Sequence, residues 1–399
     1  MKIVVLGGCG TVGATAVGDL VSDDTFSEIV VADKNIEKAR GLVSKLDSDK
    51  LSAVFVDVAD AKSLRKVIEG ASLVLNVVGP FYRFAEPITN AVIEEGINCV
   101  DICDDYDATM KLLEMDEDAR EAGITVLTGM GSSPGLANLL AKFGSSQLDE
   151  TEEIHIHHVH GGEEDEGAAV VYHRIHSIEG EIPIFKDGKL VKVRSFEKEG
   201  IAEIEDVDFY DPIGVVRVYP YPHPETITLP RYIKGLKKVT NKGSILPEAY
   251  YIFIRDMVKL GITGREPIGV GGQKVVPVEF TVSYILSERE KKYIKMLDGK
   301  MGSLKVVVKG KLNGEPHQYH FTATSKGTGM GEGTAIPASI GAHLMANGEI
   351  KEKGVFPPEA CIDPMTFLDV VKTKESLKKG EPLIFESIDK DGNVTRMEI

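Results

Sequence analysis

The chain has 399 residues, 42% hydrophobic and 27% charged, the balance of an ordinary globular protein, which excludes disorder and fibrous architecture. Forty-six basic against 62 acidic residues leave a net charge of -16, which repels phosphate backbones and anionic lipid and argues against nucleic-acid and membrane partners. No run approaches the roughly 18 apolar residues a membrane span needs. The opening Met1–Leu6 reads as a short buried strand rather than a leader, so the chain is expected in the cytoplasm. At roughly 150 residues per domain, two or three domains are expected. Cys9, Cys99, Cys103 and Cys361 form no C-x-x-C pair and no disulfide framework.

Over the first 140 residues short apolar runs alternate with helical patterns. The runs are Ile3–Leu6, Ile29–Ala32, Ala53–Val56, Leu73–Val78, Cys99–Ile102 and Ile124–Leu127, rich in Val and Ile as strands buried on both faces should be. Asp107–Ala122 reads as one helix. Six strands alternating with helices predict an α/β, doubly wound parallel sheet.

After the first run comes Gly8-Cys9-Gly10-Thr11-Val12-Gly13, with Asp33 ending the second run. Gly8 serves the tight turn, Gly10 the approach of a pyrophosphate, and Gly13 the packing of helix on strand. Asp33 is placed to take ribose hydroxyls. This is the Rossmann dinucleotide pattern, favouring NAD with NADP possible, given Lys34, Asn35 and Lys38 beside Asp33. Asp57 and Val58 after the third run are candidates for the adenine end, or Asp57 is a helix N-cap. Asn76 and Gly79 after the fourth are candidates for the nicotinamide end.

Gly129–Gly135 precedes an apolar helix, Leu136–Phe143. Ser133 and Pro134 fit N-cap and N1, and Ser133, Pro134 and Gly135 are also candidates to hold a substrate carboxylate at that helix N-terminus.

From Thr151 the pattern changes. Glu153–His160 alternates as a strand, with Ile154, Ile156, His158 and His160 on one face, which splits the histidine cluster. No metal site is assigned. The charge run Glu163–Glu166 reads as a solvated loop. His173, His176 and the Tyr219–Glu225 loop are candidates to line a cleft. Pro247–Leu260 reads as a helix, and Glu279–Leu286 as a strand. Leu304–Lys311 and His317–Thr324 flank Asn313-Gly314, a hairpin signal. Gly327–Gly333 reads as a flexible link into a buried helix, Ile336–Ala346, with Pro337 near its start. Asp391-Gly392 reads as a last hairpin.

The segments Gly8–Gly13, Asn76–Phe81, Ala122–Val126, Gly131–Leu136 and Ile336–Pro358 with Asp363-Pro364 together resemble the saccharopine dehydrogenase family, including its L-lysine 6-dehydrogenase-like members. Weaker echoes are His160–Gly162, Ser177–Gly180 and Tyr221–His223. The resemblance implies an N-terminal Rossmann domain completed by C-terminal helices, 1–130 with 330–372. It implies an inserted α+β substrate and dimerisation domain with a mainly antiparallel sheet, 131–329 with 373–399, and hence a homodimer. It also implies oxidation of an amine C–N bond of an amino acid or amine, with hydride passing to NAD(P). Saccharopine-forming members carry Asp where this chain has Ser133 and Arg where it has Pro224. A smaller amino acid or a polyamine precursor fits as well.

Candidates for the base are His160, His223 and Asp105. A non-catalytic dinucleotide sensor and a nucleophilic-cysteine aldehyde dehydrogenase are the competing readings. No tyrosine has a lysine four residues on, which excludes a Tyr-x-x-x-Lys dehydrogenase.

Overall fold

A computed structural model describes residues 1–162, 166–327, 329–374 and 383–398. The chain forms two compact units. Unit 1 holds Met1–Leu148, Thr228–Lys234 and the described chain from Met330 to Lys374; unit 2 holds the rest. Residues 131–148 and 228–234 thus fall in unit 1, not in the domain assigned to them from sequence.

Unit 1 opens with β1 (Lys2–Leu6), α1 (Thr11–Val21), β2 (Glu28–Asp33), α2 (Ile36–Leu46), β3 (Leu51–Phe55), α3 (Ala61–Ile68), β4 (Leu73–Asn76) and α4 (Phe81–Glu94). It continues with β5 (Asn98–Asp101), α5 (Tyr106–Glu114), α6 (Asp116–Glu121), β6 (Thr125–Leu127) and α7 (Leu136–Ser146). The helix expected over Asp107–Ala122 is thus two, broken at Met115, whose φ and ψ of -86° and 9° lie off the helical values.

Unit 2 begins with β7 (Glu150–Gly161), α8 (Ala168–Glu179), β8 (Glu181–Lys186), β9 (Lys189–Arg194), α9 (Lys198–Ile201), β10 (Glu205–Asp208) and β11 (Val215–Pro220). α10 (Glu225–Tyr232) follows, its residues from Thr228 belonging to unit 1, and unit 2 resumes with β12 (Lys238–Leu246), α11 (Glu248–Lys259), β13 (Ile268–Val270), β14 (Gln273–Val275), α12 (Pro277–Glu288), β15 (Met301–Leu312) and β16 (Glu315–Lys326). The chain then forms α13 (Met330–Ala346), β17 (Gly354–Phe356), α14 (Pro358–Cys361) and α15 (Pro364–Thr373), and ends in β18 (Ile384–Ile388) and β19 (Val394–Arg396). Among the described residues no helix is long and apolar enough to cross a membrane.

The first sheet is parallel throughout, in the order β17-β6-β5-β4-β1-β2-β3. Ile3, Val4, Val5 and Leu6 of its central strand are completely buried, as layers on both faces require. Its order turns at β1 and β4, which sets their carboxyl ends at the topological switch point where ligands bind. α13 packs on α1, β4 and β5. It begins at Met330, so Gly331 and Gly333 lie inside the helix rather than in a flexible link, and Pro337 sits mid-helix; Thr328 of that link lies outside the described residues. Small residues suit this helix because it lies close: a Cβ on Gly341 would fall 2.6 Å from Met130 Cγ.

The second sheet runs β10-β11-β12-β7-β15-β16-β18-β19, antiparallel except for β7 with β12. Asn313 and Gly314 both take positive φ (54° and 80°) between β15 and β16, as a type I′ turn demands. Gly392, at 81°, turns β18 into β19. The strand expected over Glu279–Leu286 is instead α12. Its β-branched and aromatic composition favours a strand locally, but Val278, Thr281, Val282 and Ile285 are the buried residues, and that spacing is helical. With Pro277 at the first helical turn, Val278, Val282 and Ile285 join Val171, Ile175 and Ile178 of α8 and Tyr250, Tyr251 and Ile254 of α11 in one core cluster.

Candidate functional site

The turn after β1 is shaped by close approach. Gly7, rather than Gly8, takes the positive φ (78°). The amides of Gly7 and Gly8 both donate to the Ala32 carbonyl of β2, at 2.8 and 3.2 Å. A Cβ on Gly8 would meet Val31 Cγ1 at 2.9 Å, and one on Gly13 would meet the Gly7 carbonyl oxygen at 2.2 Å. Gly10 precedes α1, and no side chain caps that helix N-terminus. Thr11 and Val12 form its first turn, so backbone amides and the helix dipole are aimed where a pyrophosphate would lie. The residues present fit a dinucleotide.

Asp33 fastens this turn. One carboxylate oxygen accepts the Cys9 amide at 3.2 Å and the other the Asn35 amide at 2.9 Å. Lys34 reaches Asp57 at 2.9 Å and holds its carboxyl below the usual range. Asp57 is therefore not a helix N-cap; Asp60 caps α3, while Val58 occupies the turn between them. Asn76 ends β4, its side-chain oxygen accepting the Val78 amide at 3.0 Å, and Gly79 follows with a cis bond to Pro80. The sequence reading therefore gathers its cofactor residues at the ends of β1, β2, β3 and β4 of one sheet. Gly7 was missed, although Gly7-Gly8 was there to be read.

The segment after β6 is a closed loop. The Gly131 amide donates to the Pro134 carbonyl (2.9 Å), Leu136 to Gly131 (2.8 Å) and Ala137 to Ser132 (2.9 Å). The Gly135 amide donates to the Asn138 side chain at 2.9 Å. Gly135, not Ser133, is the N-cap of α7; its φ of 121° and its approach to Gly131, 2.0 Å from a hypothetical Cβ, admit no side chain. The first amides of α7 are spent inside the loop, so the expected carboxylate site rests on Ser133 itself.

Asp101, unremarked in the sequence, anchors this loop from the end of β5. Its Oδ1 accepts from the Cys103 amide (2.8 Å), the Gly129 amide (2.9 Å) and the Thr128 hydroxyl (3.0 Å), and burial pushes its pKa up to about 6. Asp105 is buried and accepts the Tyr82 amide at 2.8 Å, in the first turn of α4. That contact gives this candidate base a structural duty as well. Burial raises all four thiols, Cys9 and Cys361 to about 12, which leaves no thiolate for the cysteine-nucleophile reading.

In unit 2 the alternation along β7 divides the histidines as expected. His158 stacks on His223, ring centroids 5.0 Å apart, with Tyr221 edge-on to both at 5.3 and 4.9 Å. His173 of α8 completes the group, 5.8 Å from Tyr221 and 6.0 Å from His223. Burial lowers His158 to about 3 and takes His223 well below its ordinary value, so both rings are neutral. His160 lies half-buried near the end of β7, on the His158 side. His176, the remaining histidine of α8, lies in its last turn. Of the charge run, 163–165 lie outside the described residues, and Glu166 is buried rather than solvated. It pairs with Arg174 and Arg289 and accepts the Tyr250 hydroxyl at 2.7 Å.

The saccharopine dehydrogenase NADP-binding domain model matches residues 3–127, and the saccharopine dehydrogenase C-terminal domain model matches 131–376. Carboxyaminopropylagmatine dehydrogenase of Synechocystis is 22% identical over 92% of this chain and 94% of its own. Carboxynorspermidine synthase of Vibrio alginolyticus is 21% identical over 96% and 99%. The saccharopine dehydrogenase (L-Glu forming) of Saccharomyces cerevisiae shares the fold, with a TM-score of 0.67 at 17% identity over 99% of both chains. The chain belongs to the saccharopine dehydrogenase family of NAD(P)-dependent oxidoreductases acting on CH–NH donors.

Proposed function

We propose that this chain oxidises the secondary-amine C–N bond of a carboxylated polyamine precursor, or forms that bond in reverse. The observation that carries the choice of substrate is the group of neutral rings in unit 2. His158 and His223, stacked and held uncharged by burial, with Tyr221 edge-on to both, form an aromatic group suited to a cationic amine. Two relatives named for carboxylated amines, each matching over nearly its whole length, support the same reading.

A nicotinamide dinucleotide held at the Gly8–Gly13 turn and by Asp33 would supply the acceptor for the hydride leaving the substrate carbon. The nitrogen loses its proton to a base, the C=N bond forms, and water then splits the imine into an amine and an aldehyde. Among the candidates, His160 serves best as that base. His158 and His223 lie where a charged ring is disfavoured, and Asp105 is committed to the start of α4. Ser133 is the side chain proposed to hold the substrate carboxylate, and Asp33 to hold a ribose. By composition the enzyme works in the cytoplasm, and by family resemblance as a homodimer.

The test is product identification in the reverse direction. An amino-acid semialdehyde, a diamine or agmatine, and NADPH or NADH are combined, and the new secondary amine is sought by mass spectrometry. Formation of the coupled amine supports the reading. Consumption of saccharopine in the forward direction, with no polyamine product, would move the substrate elsewhere in the family.

A further inference from the structure

On the sheet face opposite the His158–His223 stack, β7, β12, β15 and β16 frame a cavity of about 410 Å³ that the proposed reaction does not use. One row of the sheet crosses it. Register sets Lys242 of β12, His157 of β7, Lys305 of β15 and Thr322 of β16 side by side. These four are 5%, 6%, 9% and 1% exposed, so each is more than nine-tenths buried.

Their polar atoms are not all satisfied. Lys242 pairs with Glu205 at 2.8 Å, and His157 Nε2 lies 3.1 Å from the same carboxylate. His157 Nδ1 and Thr322 Oγ1 are buried with no hydrogen-bond partner among the described residues. The Lys305 ammonium donates to the Asp208 carbonyl at 2.9 Å and sits 4.9 Å from the centre of the Tyr210 ring. Among the described residues it makes no ion pair with a carboxylate. Two of the acids around the cavity are engaged elsewhere, Asp206 holding Arg217 through both oxygens and Glu153 holding His155, while Asp208 accepts the Tyr210 amide at 2.9 Å. Lys238, at the rim, also makes no ion pair among the described residues.

A buried ammonium with no carboxylate at ion-pair distance, acted on only from further off by Asp208 and Glu386, leaves charge incompletely compensated, a costly arrangement that an anion would relieve. The donor pattern narrows the anion. Burial keeps His157 neutral, and with its Nε2 proton donated to Glu205 its Nδ1 is an acceptor. Thr322, beside Lys305 in the row, does not line the cavity, so the pattern rests on Lys305 and His157. We propose that this cavity binds a small oxyanion that also carries a hydroxyl, the chemistry shared by monohydrogen phosphate and hydroxycarboxylates. The oxyanion lies on Lys305, and the hydroxyl donates to His157 Nδ1. The site shares no residue with the dinucleotide turn or with the proposed substrate group, and stands whether or not the substrate assignment holds.

The test uses the full chain without dinucleotide. Melting temperature and calorimetric titration are measured with sodium phosphate and with sodium malate, each against sodium chloride at matched ionic strength. At least one of the two is expected to stabilise the protein, with millimolar or tighter affinity. Phosphate alone identifies the phosphate class, and malate alone the hydroxycarboxylates. Lys305→Met should weaken binding about tenfold or more, as loss of one charge-assisted hydrogen bond implies. Lys238→Gln, at the accessible rim, should weaken it a few-fold without affecting folding. No stabilisation beyond chloride overturns the proposal. So does an unchanged response in Lys305→Met, which would place the anion elsewhere, such as at the turn before α1. Should Lys305→Met fail to fold, the Lys238→Gln titration and the His157 ring nitrogen signals on adding the anion decide, and no change in either overturns it.

Discussion

His158 and His223 lie face to face, their ring planes within 9° of parallel and their centroids 5.0 Å apart, and neither ring carries charge. Burial is the first cause for both, and His158 further opposes protonation of His223. The unfolded chain has no such restraint, and its histidines titrate near pH 6.5.

This sets a pH dependence. His158 is lowered to about 3, and His155 and His320 to about 4. Between about pH 6.5 and these values the unfolded chain binds protons that the native one refuses, so stability falls on acidification. Each group contributes at most about 1.4 kcal/mol per pH unit. The contribution is complete above about pH 6.5 and is lost toward about pH 3. Urea midpoints at about pH 7 and about pH 5 should differ strongly, and less so in His158→Asn. A flat profile across that interval would contradict the burial of these rings.

Asp101 works in the opposite direction. Its pKa is pushed up to about 6, so the native state binds a proton more tightly than the unfolded chain, whose Asp titrates near 3.9. Its contribution is most favourable at low pH and declines as pH rises through about 6. Asn keeps the side-chain acceptor and cannot ionise. Relative to the parent, Asp101→Asn should gain up to about 3 kcal/mol between about pH 4 and about pH 7. A difference that stays constant with pH would refute this.

Glu166 is shared by Arg174 and Arg289 and by the Tyr250 hydroxyl, all buried in the core of unit 2. Glu166→Gln keeps the volume and removes the charge. Breaking such a buried pairing costs about 3–5 kcal/mol, to be read from denaturant unfolding. A loss under about 1 kcal/mol would mean that Glu166 behaves like a surface acid.

Gly13→Ala tests the dinucleotide turn. The added Cβ would fall 2.2 Å from the Gly7 carbonyl oxygen and 2.8 Å from Gly8 Cα, so the backbone has to part there. NADPH affinity, followed by fluorescence titration, should fall by about tenfold or more, with a stability loss of about 1–3 kcal/mol. Unchanged affinity would remove this turn as the binding site.

Legibility followed the range of the forces. Strands buried on both faces, such as Ile3–Leu6, announce themselves through continuous apolar runs. Asn313-Gly314 announces its turn because few other pairs tolerate its dihedrals. The glycine turn after β1 was readable for the same reason. Pattern misled where composition and burial disagree, as in α12, whose residues favour a strand while their buried positions repeat as a helix. Partnerships across distant strands carried no local signal. Nothing near Glu166 foretells Arg289, nothing near Asp101 foretells Gly129, and the row Lys242–His157–Lys305–Thr322 exists only once four strands are in register. His223 was singled out from sequence, but its partner His158 was read only as a residue on an apolar face.

The central claim is tested most directly by absorbance at the reduced-nicotinamide band, with NAD and NADP supplied in turn. Carboxylated polyamine precursors, saccharopine and lysine are offered as donors. The account predicts NAD(P)H formation with a carboxylated polyamine precursor and little with saccharopine. In His160→Gln, turnover should fall at least about a hundredfold while dinucleotide affinity holds. Silence with every amine, in protein that binds the dinucleotide, would contradict it.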